Sequence, residues 1–181
     1  MFLAYPCESV ADSFLGDAAS VVSMSTPLNA YPDAFRLREA RDQFLAQNGF
    51  RVEDYSAPTY TLKVGSVPIK LPNTKAHQWA TPLHDLHHVL TGYRTDWIGE
   101  AEMAAWELRA GCTTLVVYWL DLGGVLIGLF LSPARVWQAF RAAKGGRTLY
   151  RDSLSCESAL QMTVGEIRAR LGIPPGGLSP P

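Results

Sequence analysis

The sequence predicts a mainly α protein, a single-domain helical bundle spanning residues 1–181 with one small β-hairpin. Helix start and stop signals recur along the chain, and apolar residues follow helical spacing between them. Only one stretch carries β-type residues on both sides of a tight turn. A length of 181 residues fits one domain and lets folding bury about 70% of the unfolded surface, so a core needs no disulfide or metal support.

Residues 33–48 (DAFRLREARDQFLAQN) read as a helix after Pro32, with Phe35, Leu37, Phe44 and Leu45 apolar and Gly49 as its stop. Residues 60–71 (YTLKVGSVPIKL) read as a hairpin turning at Gly65-Ser66, with Pro68 marking an edge strand. Thr81-Pro82 supplies a capping hydroxyl and a proline for a helix start, and Gly92 ends that helix. Asp96 caps the next helix, which passes Glu100 and stops at Gly111. Residues 112–131 (CTTLVVYWLDLGGVLIGLFL) have the length of a membrane span. Asp121 at mid-bilayer would cost roughly 2.5–3.5 kcal/mol, so this stretch is expected as buried helix broken at Gly123-Gly124. Gly124 and Gly128 also have the spacing that lets helices approach closely. Ser132-Pro133 opens a further helix, and Thr163 with Glu166 forms a capping box for the last. Residues 174–181 read as a flexible tail.

Sixteen Lys and Arg oppose seventeen Asp and Glu, for a formal charge of −1 and a pI near 6.4. That balance argues against a protein that gains affinity by neutralising nucleic-acid phosphates. Hydrophobic residues are 48% and charged residues 18%, which excludes a disordered chain. The mean hydropathy of +0.02 points to apolar surface or an apolar ligand. Cys7, Cys112 and Cys156 are dispersed, which suits a reducing compartment and inert thiols. The N-terminal stretch has neither a basic leader nor an Arg-rich transit pattern, so a cytosolic location is expected.

The chemistry-bearing motif lies within residues 82–108. With His84 set at about 0° on a helical wheel, His88 falls at about 40° and Asp85 at about 100°. Leu83, Leu86, Val89 and Leu90 share the opposite side, and His87 falls apart from both at about 300°. Histidines one turn apart have β-carbons roughly 5–6 Å apart, close enough to grip one ion. The short link GYRTDWI returns Glu100 toward them. His84, Asp85, His88 and Glu100 then form a metal set suited to Zn²⁺, and chemically also to Mn²⁺ or Fe²⁺. Glu107, seven residues on from Glu100, is placed to orient a ligand or a water. No phosphate-binding Gly-rich loop, dinucleotide fingerprint or Gly-x-Ser-x-Gly elbow occurs.

The string PLHDLHHVLTGYRTDWIGEAEMAAWEL, with His84-Asp85-x-x-His88 followed by Glu100, resembles bacterial members of the coenzyme Q biosynthesis protein 4 family. The resemblance covers these 27 residues, and in that family the four motif positions bind zinc. It implies a mostly helical fold, peripheral contact with a membrane and a role in ubiquinone biosynthesis. The implied chemistry is oxidative decarboxylation of a prenylated hydroxybenzoate-type precursor at the metal. The alternative is a non-catalytic prenyl-lipid scaffold whose zinc is structural. Expected partners are a prenylated quinone precursor or other isoprenoid lipid, other quinone-biosynthesis enzymes and further copies of the chain, with no nucleic acid. The expected location is the cytoplasm or the inner (cytoplasmic) membrane face. The apolar residues 116–131 suit a polyprenyl tail. Arg135, Arg141, Lys144, Arg147 and Arg151 form a basic run that reads as a solvated face, with anionic headgroups or a phosphate as the alternative.

Overall fold

The computed structural model of the chain describes residues 31–64 and 67–178. The elements are α1 (Leu37–Asn48), β1 (Thr59–Val64), β2 (Val67–Pro72), α2 (Lys75–Thr91), α3 (Trp97–Ala110), α4 (Leu115–Leu131), α5 (Pro133–Ala142), α6 (Cys156–Leu160) and α7 (Val164–Leu171). Two 3₁₀ turns, Val52–Ser56 and Leu149–Arg151, complete the path. Among the described residues the protein is mainly helical with a single antiparallel hairpin, in register from Thr59↔Pro72 to Val64↔Val67. The expected hairpin is therefore present, while its turn residues Gly65 and Ser66 lie outside the described residues, as do Cys7 and the N-terminal stretch.

The core is built where the apolar faces of α1, α2, α3 and α7 meet. Leu37, Leu86, Val89, Leu90, Met103, Trp106, Ile167 and Leu171 are all buried there. α1 starts at Leu37 rather than at residue 33. Phe35 first turns back on the Pro32 carbonyl, and Leu37 N–H donates to the Met162 carbonyl, so the segment before the helix is tied across the molecule. α2 corrects the expected start at Thr81-Pro82. Thr74 is its N-cap, accepting from His77 N–H, and Thr81 Oγ1 instead donates to the His77 carbonyl at 2.9 Å. Pro82 thus lies inside the helix, where its missing N–H forgoes one bond.

α4 also corrects an expectation: it runs unbroken through Gly123-Gly124. The reason is packing against α3. Gly124 faces Ala104, and Gly128 faces Ala101 and Val136, so α4 lies antiparallel to α3 with almost no gap. The spacing of Gly124 and Gly128 is used for close contact, which offsets the helix propensity that glycine lacks. Among the described residues no helix is long and apolar enough to cross a membrane.

The expected stops and caps at Gly49, Gly92, Asp96, Gly172 and the Thr163–Glu166 capping box are all present. α5 begins at Pro133 as expected, although Ser132 makes no side-chain cap. Residues 174–178, the described part of the expected tail, do not simply fray. Leu178 N–H donates to the Thr91 carbonyl at 2.7 Å, and Leu178 leans on the core. Cys112 is a free thiol as expected, whereas Cys156 is disulfide-bonded.

The contrast between two neighbouring glycines tests the α3–α4 contact. A Cβ at position 128 would stand 2.3 Å from Ala101 Cβ and 2.7 Å from Val136 Cγ2, whereas one at position 123 meets nothing within 4 Å. Gly128→Ala is expected to destabilise by about 1–3 kcal/mol. Gly123→Ala is expected to stabilise by about 0.5–1 kcal/mol through helix propensity. Urea unfolding of both variants reads the two signs.

Candidate metal centre

The C-terminal half of α2 carries His84, Asp85 and His88 on the side away from its buried leucines. Gly92, at φ 82°, ends the helix in the left-handed region and reverses the chain. Asp96 then opens α3 by accepting from Gly99 N–H at 2.9 Å, which puts Glu100 in the first turn of α3. The reversal brings His84 Nε2 to 3.1 Å from His88 Nε2. Glu100 Oε2 lies 3.3 Å from His84 Nε2, and Glu100 Oε1 lies 3.5 Å from His88 Nε2.

These spacings fit an ion. A tetrahedral cation bound at about 2.0–2.1 Å sets its donors about 3.3 Å apart. The hydrogen-bond partners also assign the tautomers. His88 Nδ1 donates to the Tyr93 carbonyl at 2.9 Å, and His84 Nδ1 donates to both Glu107 oxygens at 3.1 and 3.2 Å. Each neutral imidazole therefore aims an Nε2 lone pair at the other, with a carboxylate beside them. Two lone pairs and an anion converge favourably only on a shared positive charge. When no ion is present a proton can take that part. Although burial opposes it, the Glu107 and Glu100 carboxylates hold His84 well above its usual range. Glu100 is held well below the ordinary carboxylate range by His88 and His84.

Three of the four expected ligands meet here, and Asp85 stands outside the cluster. Its Oδ2 accepts the Tyr55 hydroxyl at 2.7 Å. Burial raises the Asp85 carboxyl, partly countered by His84. Burial and Asp85 raise the Tyr55 phenol, so it stays protonated and donates. Glu100 keeps a 43% exposed side chain while that of His88 is at 1%. The seat is therefore closed behind His88 and open toward solvent at Glu100 and, in part, at His84.

Glu107, expected to orient a ligand or a water, is wholly buried beside His84 and His87. It accepts from His84 Nδ1 and from His87 Nδ1. His87 can donate at Nδ1 because its Nε2 accepts the Leu149 N–H at 2.9 Å. Burial keeps His87 below its ordinary range. Against burial, His84 and His87 draw Glu107 well below the usual carboxylate range. Asp121, from the inner face of α4, adds a second acid nearby. Burial and the Glu107 charge push its carboxyl up to about 8, so it is neutral at pH 7 and accepts the Cys112 thiol at 2.9 Å.

Sequence reasoning alone did not reach Tyr55, Tyr93, Asp121 or the part played by His87. The Tyr93 carbonyl had a local cue: it directly follows the Gly92 reversal that exposes it to His88. Tyr55 had none, since it meets Asp85 from a separate 3₁₀ turn. Comparison with protein-family models, curated proteins and solved structures gives no match to the chain.

Two measurements follow from this network. Glu107→Gln keeps the shape but loses the charge that aligns two N–H donors, so zinc affinity should fall about 10–100-fold. Competition with a chromophoric chelator reads it, and unchanged affinity would exclude an orienting part for Glu107. Asp121 carries a pH signature. Its folded pKa of about 8 lies above the unfolded value of about 3.9, so between those values the folded state holds a proton that the unfolded state has lost. Stability therefore falls as pH rises through that window and levels above it. In urea unfolding of the metal-free protein, Asp121→Asn should gain on the parent from pH 4 to 8 and no further beyond.

Proposed function

We propose that this chain is a metal-dependent protein of ubiquinone or related prenylated-quinone biosynthesis, a bacterial member of the coenzyme Q biosynthesis protein 4 family working at a membrane surface. The observation that carries the reading is the convergence of His84 Nε2, His88 Nε2 and Glu100 at donor spacings suited to one divalent ion, with one side open. Three protein donors and an open position are the arrangement of a catalytic site, whereas structural zinc sites are usually closed by four. The donor set suits zinc and admits manganese or iron. When bound, the ion would act as a Lewis acid toward a carboxylate or phenolic oxygen of the substrate head group.

The residues around the seat supply the rest. His84 and His88 are held in single tautomers by Glu107 and by the Tyr93 carbonyl. Phe44 stacks on the His88 ring at 5.7 Å and fixes its plane. Asp85 and the Tyr55 hydroxyl form a half-buried acid–phenol pair adjoining the seat, able to hold or pass a proton at Oδ2. The reaction class is oxidative decarboxylation of a prenylated hydroxybenzoate-type precursor. Overall, the ring carbon loses carbon dioxide and gains a hydroxyl whose oxygen comes from water, while two protons and two electrons leave to an external two-electron oxidant such as dioxygen or a quinone. A polyprenyl tail suits the apolar surface of α4, and the natural setting is beside other quinone-biosynthesis enzymes.

The test is elemental analysis of freshly purified protein together with turnover of a prenylated hydroxybenzoate under several oxidants. One equivalent of metal is expected, with at least a tenfold loss of both metal and turnover in His84→Ala and Glu100→Gln. A co-purified prenyl lipid with no turnover under any oxidant would replace the enzyme by a scaffold. Full activity in both variants would remove the metal from the chemistry.

A further inference from the structure

Between residues 112 and 151 the chain has five basic residues and a single acid, Asp121. Asp121 is buried, so this stretch shows no negative side chain to solvent. The basic residues are not equivalent. Arg135 is held bidentately by Glu102 at 2.7 Å, and the Arg151 side chain lies against Gly111. Arg141 and Lys144 instead line a groove of about 340 Å³ together with Arg109, Trp137 and Phe140. The Arg109 guanidinium sits 4.7 Å over the Phe140 ring, and Trp137 stacks on Phe140 at 5.7 Å. Arg109, Arg141 and Lys144 make no ion pair among the described residues. Three cations share one groove with no carboxylate to balance them, which is a site waiting for an anion.

The neighbouring surface narrows the kind of anion. α5 follows α4 directly, and both pack on α3. The outward side of α4 is uncharged and apolar, with Trp119 at 65% and Phe130 at 91% exposure alongside Leu115 and Tyr118. Trp137, which lines the groove, is itself 59% exposed. Tryptophan and tyrosine favour the level of lipid headgroups, and a helix that presents one apolar face lies in the interface plane with that face at the acyl boundary. A second copy is the poorer occupant, since a two-fold contact across this face brings a second unneutralised cationic groove to the same interface.

We infer that the groove of Arg109, Arg141 and Lys144 seats the phosphate of an anionic phospholipid headgroup in a bilayer, with the outward face of α4 lying among the acyl chains beside it. The inference deepens the membrane contact proposed above and is independent of the metal.

The test is flotation of the full chain with vesicles of phosphatidylcholine alone and of phosphatidylcholine containing one-third phosphatidylglycerol. Tighter binding to the anionic vesicles is expected. The double variant Arg141→Gln with Lys144→Gln should lose about fivefold per charge, roughly 25-fold together, on anionic vesicles only. Trp119→Ser with Phe130→Ser should weaken binding to both. All four side chains are exposed, and circular dichroism with thermal melting checks that the variants fold. Equal binding to the two vesicle types overturns the headgroup seat while leaving membrane contact standing. No binding to either overturns both. Inorganic phosphate that binds the free protein, abolished by the Arg141/Lys144 variant while flotation is unchanged, overturns the lipid in favour of a soluble anion. A concentration-dependent dimer lost in Trp119→Ser with Phe130→Ser, without flotation, gives the face to a second copy and likewise overturns it.

Discussion

A carboxylate with no exposed surface sits between two helices and accepts from two imidazoles, and the candidate centre is arranged around it. Burying Glu107 as an anion is unfavourable by several kcal/mol unless its oxygens are hydrogen-bonded. His84 and His87 supply those bonds from α2, and His87 draws its own alignment from the Leu149 N–H. One acid therefore links α2, α3 and the 3₁₀ turn after α5. The same bond decides the chemistry of His84. An imidazole that donates at Nδ1 to a fixed carboxylate has its lone pair at Nε2, more basic than that of a free ring. Substituting a neutral partner would leave the helices packed but the ring free to rotate.

The end of α2 that carries His88 is held just as firmly. The last carbonyls of a helix have no partner within it. Here Arg168, itself buried, donates from Nε to the Leu90 carbonyl at 2.8 Å, and Leu178 N–H takes the Thr91 carbonyl. The guanidinium is in turn balanced by Asp33 at 2.7 Å and by the Tyr31 carbonyl. A buried cation at a helix C-terminus also meets the negative end of the helix dipole. With the Tyr93 carbonyl fixing its ring, His88 stands on a backbone whose polar groups are paired to the final turn. A metal seat tolerates little positional error, and rigid flanking elements are what supply that.

Local chemistry was the readable part of the sequence. Caps made within three or four residues, such as Asp96 with Gly99 or Thr163 with Glu166, announce themselves because both partners are close in the chain. Beyond the later start of α1, the two differences at α2 and α4 have a common cause. At Thr81-Pro82 and at Gly123-Gly124 the residues disfavour a helix locally, yet contacts from elsewhere carry the helix through them. Thr74 caps α2 two turns earlier, and Ala101, Ala104 and Val136 close around the small glycines. The site divides in the same way. His84, His88 and Glu100 are fixed by helical period and a short reversal, both visible in spacing. Asp85 shares that spacing but is drawn to Tyr55, a partner that no periodicity indicates. His87 lies off the metal face of α2, and nothing in the spacing says that Glu107 reaches both its ring and that of His84.

The position of Asp85 bears on how a centre of this kind differs from a structural one. Four protein donors around an ion leave no room for a substrate oxygen, whereas three leave one direction unclaimed. The bond to Tyr55 is a neutral donor meeting a buried acid, strong enough to hold the side chain while leaving the seat incomplete. The open direction is the side of Glu100 and His84, where solvent reaches the carboxylate and the edge of one imidazole while His88 behind them is covered. α4 adds the complementary constraint. Its glycines press one side against α3 and its only acid turns inward beside Glu107, so its outer side carries none of the packing that holds the site. That surface is free to be apolar, and an apolar surface retained without a packing reason is best explained by what it touches.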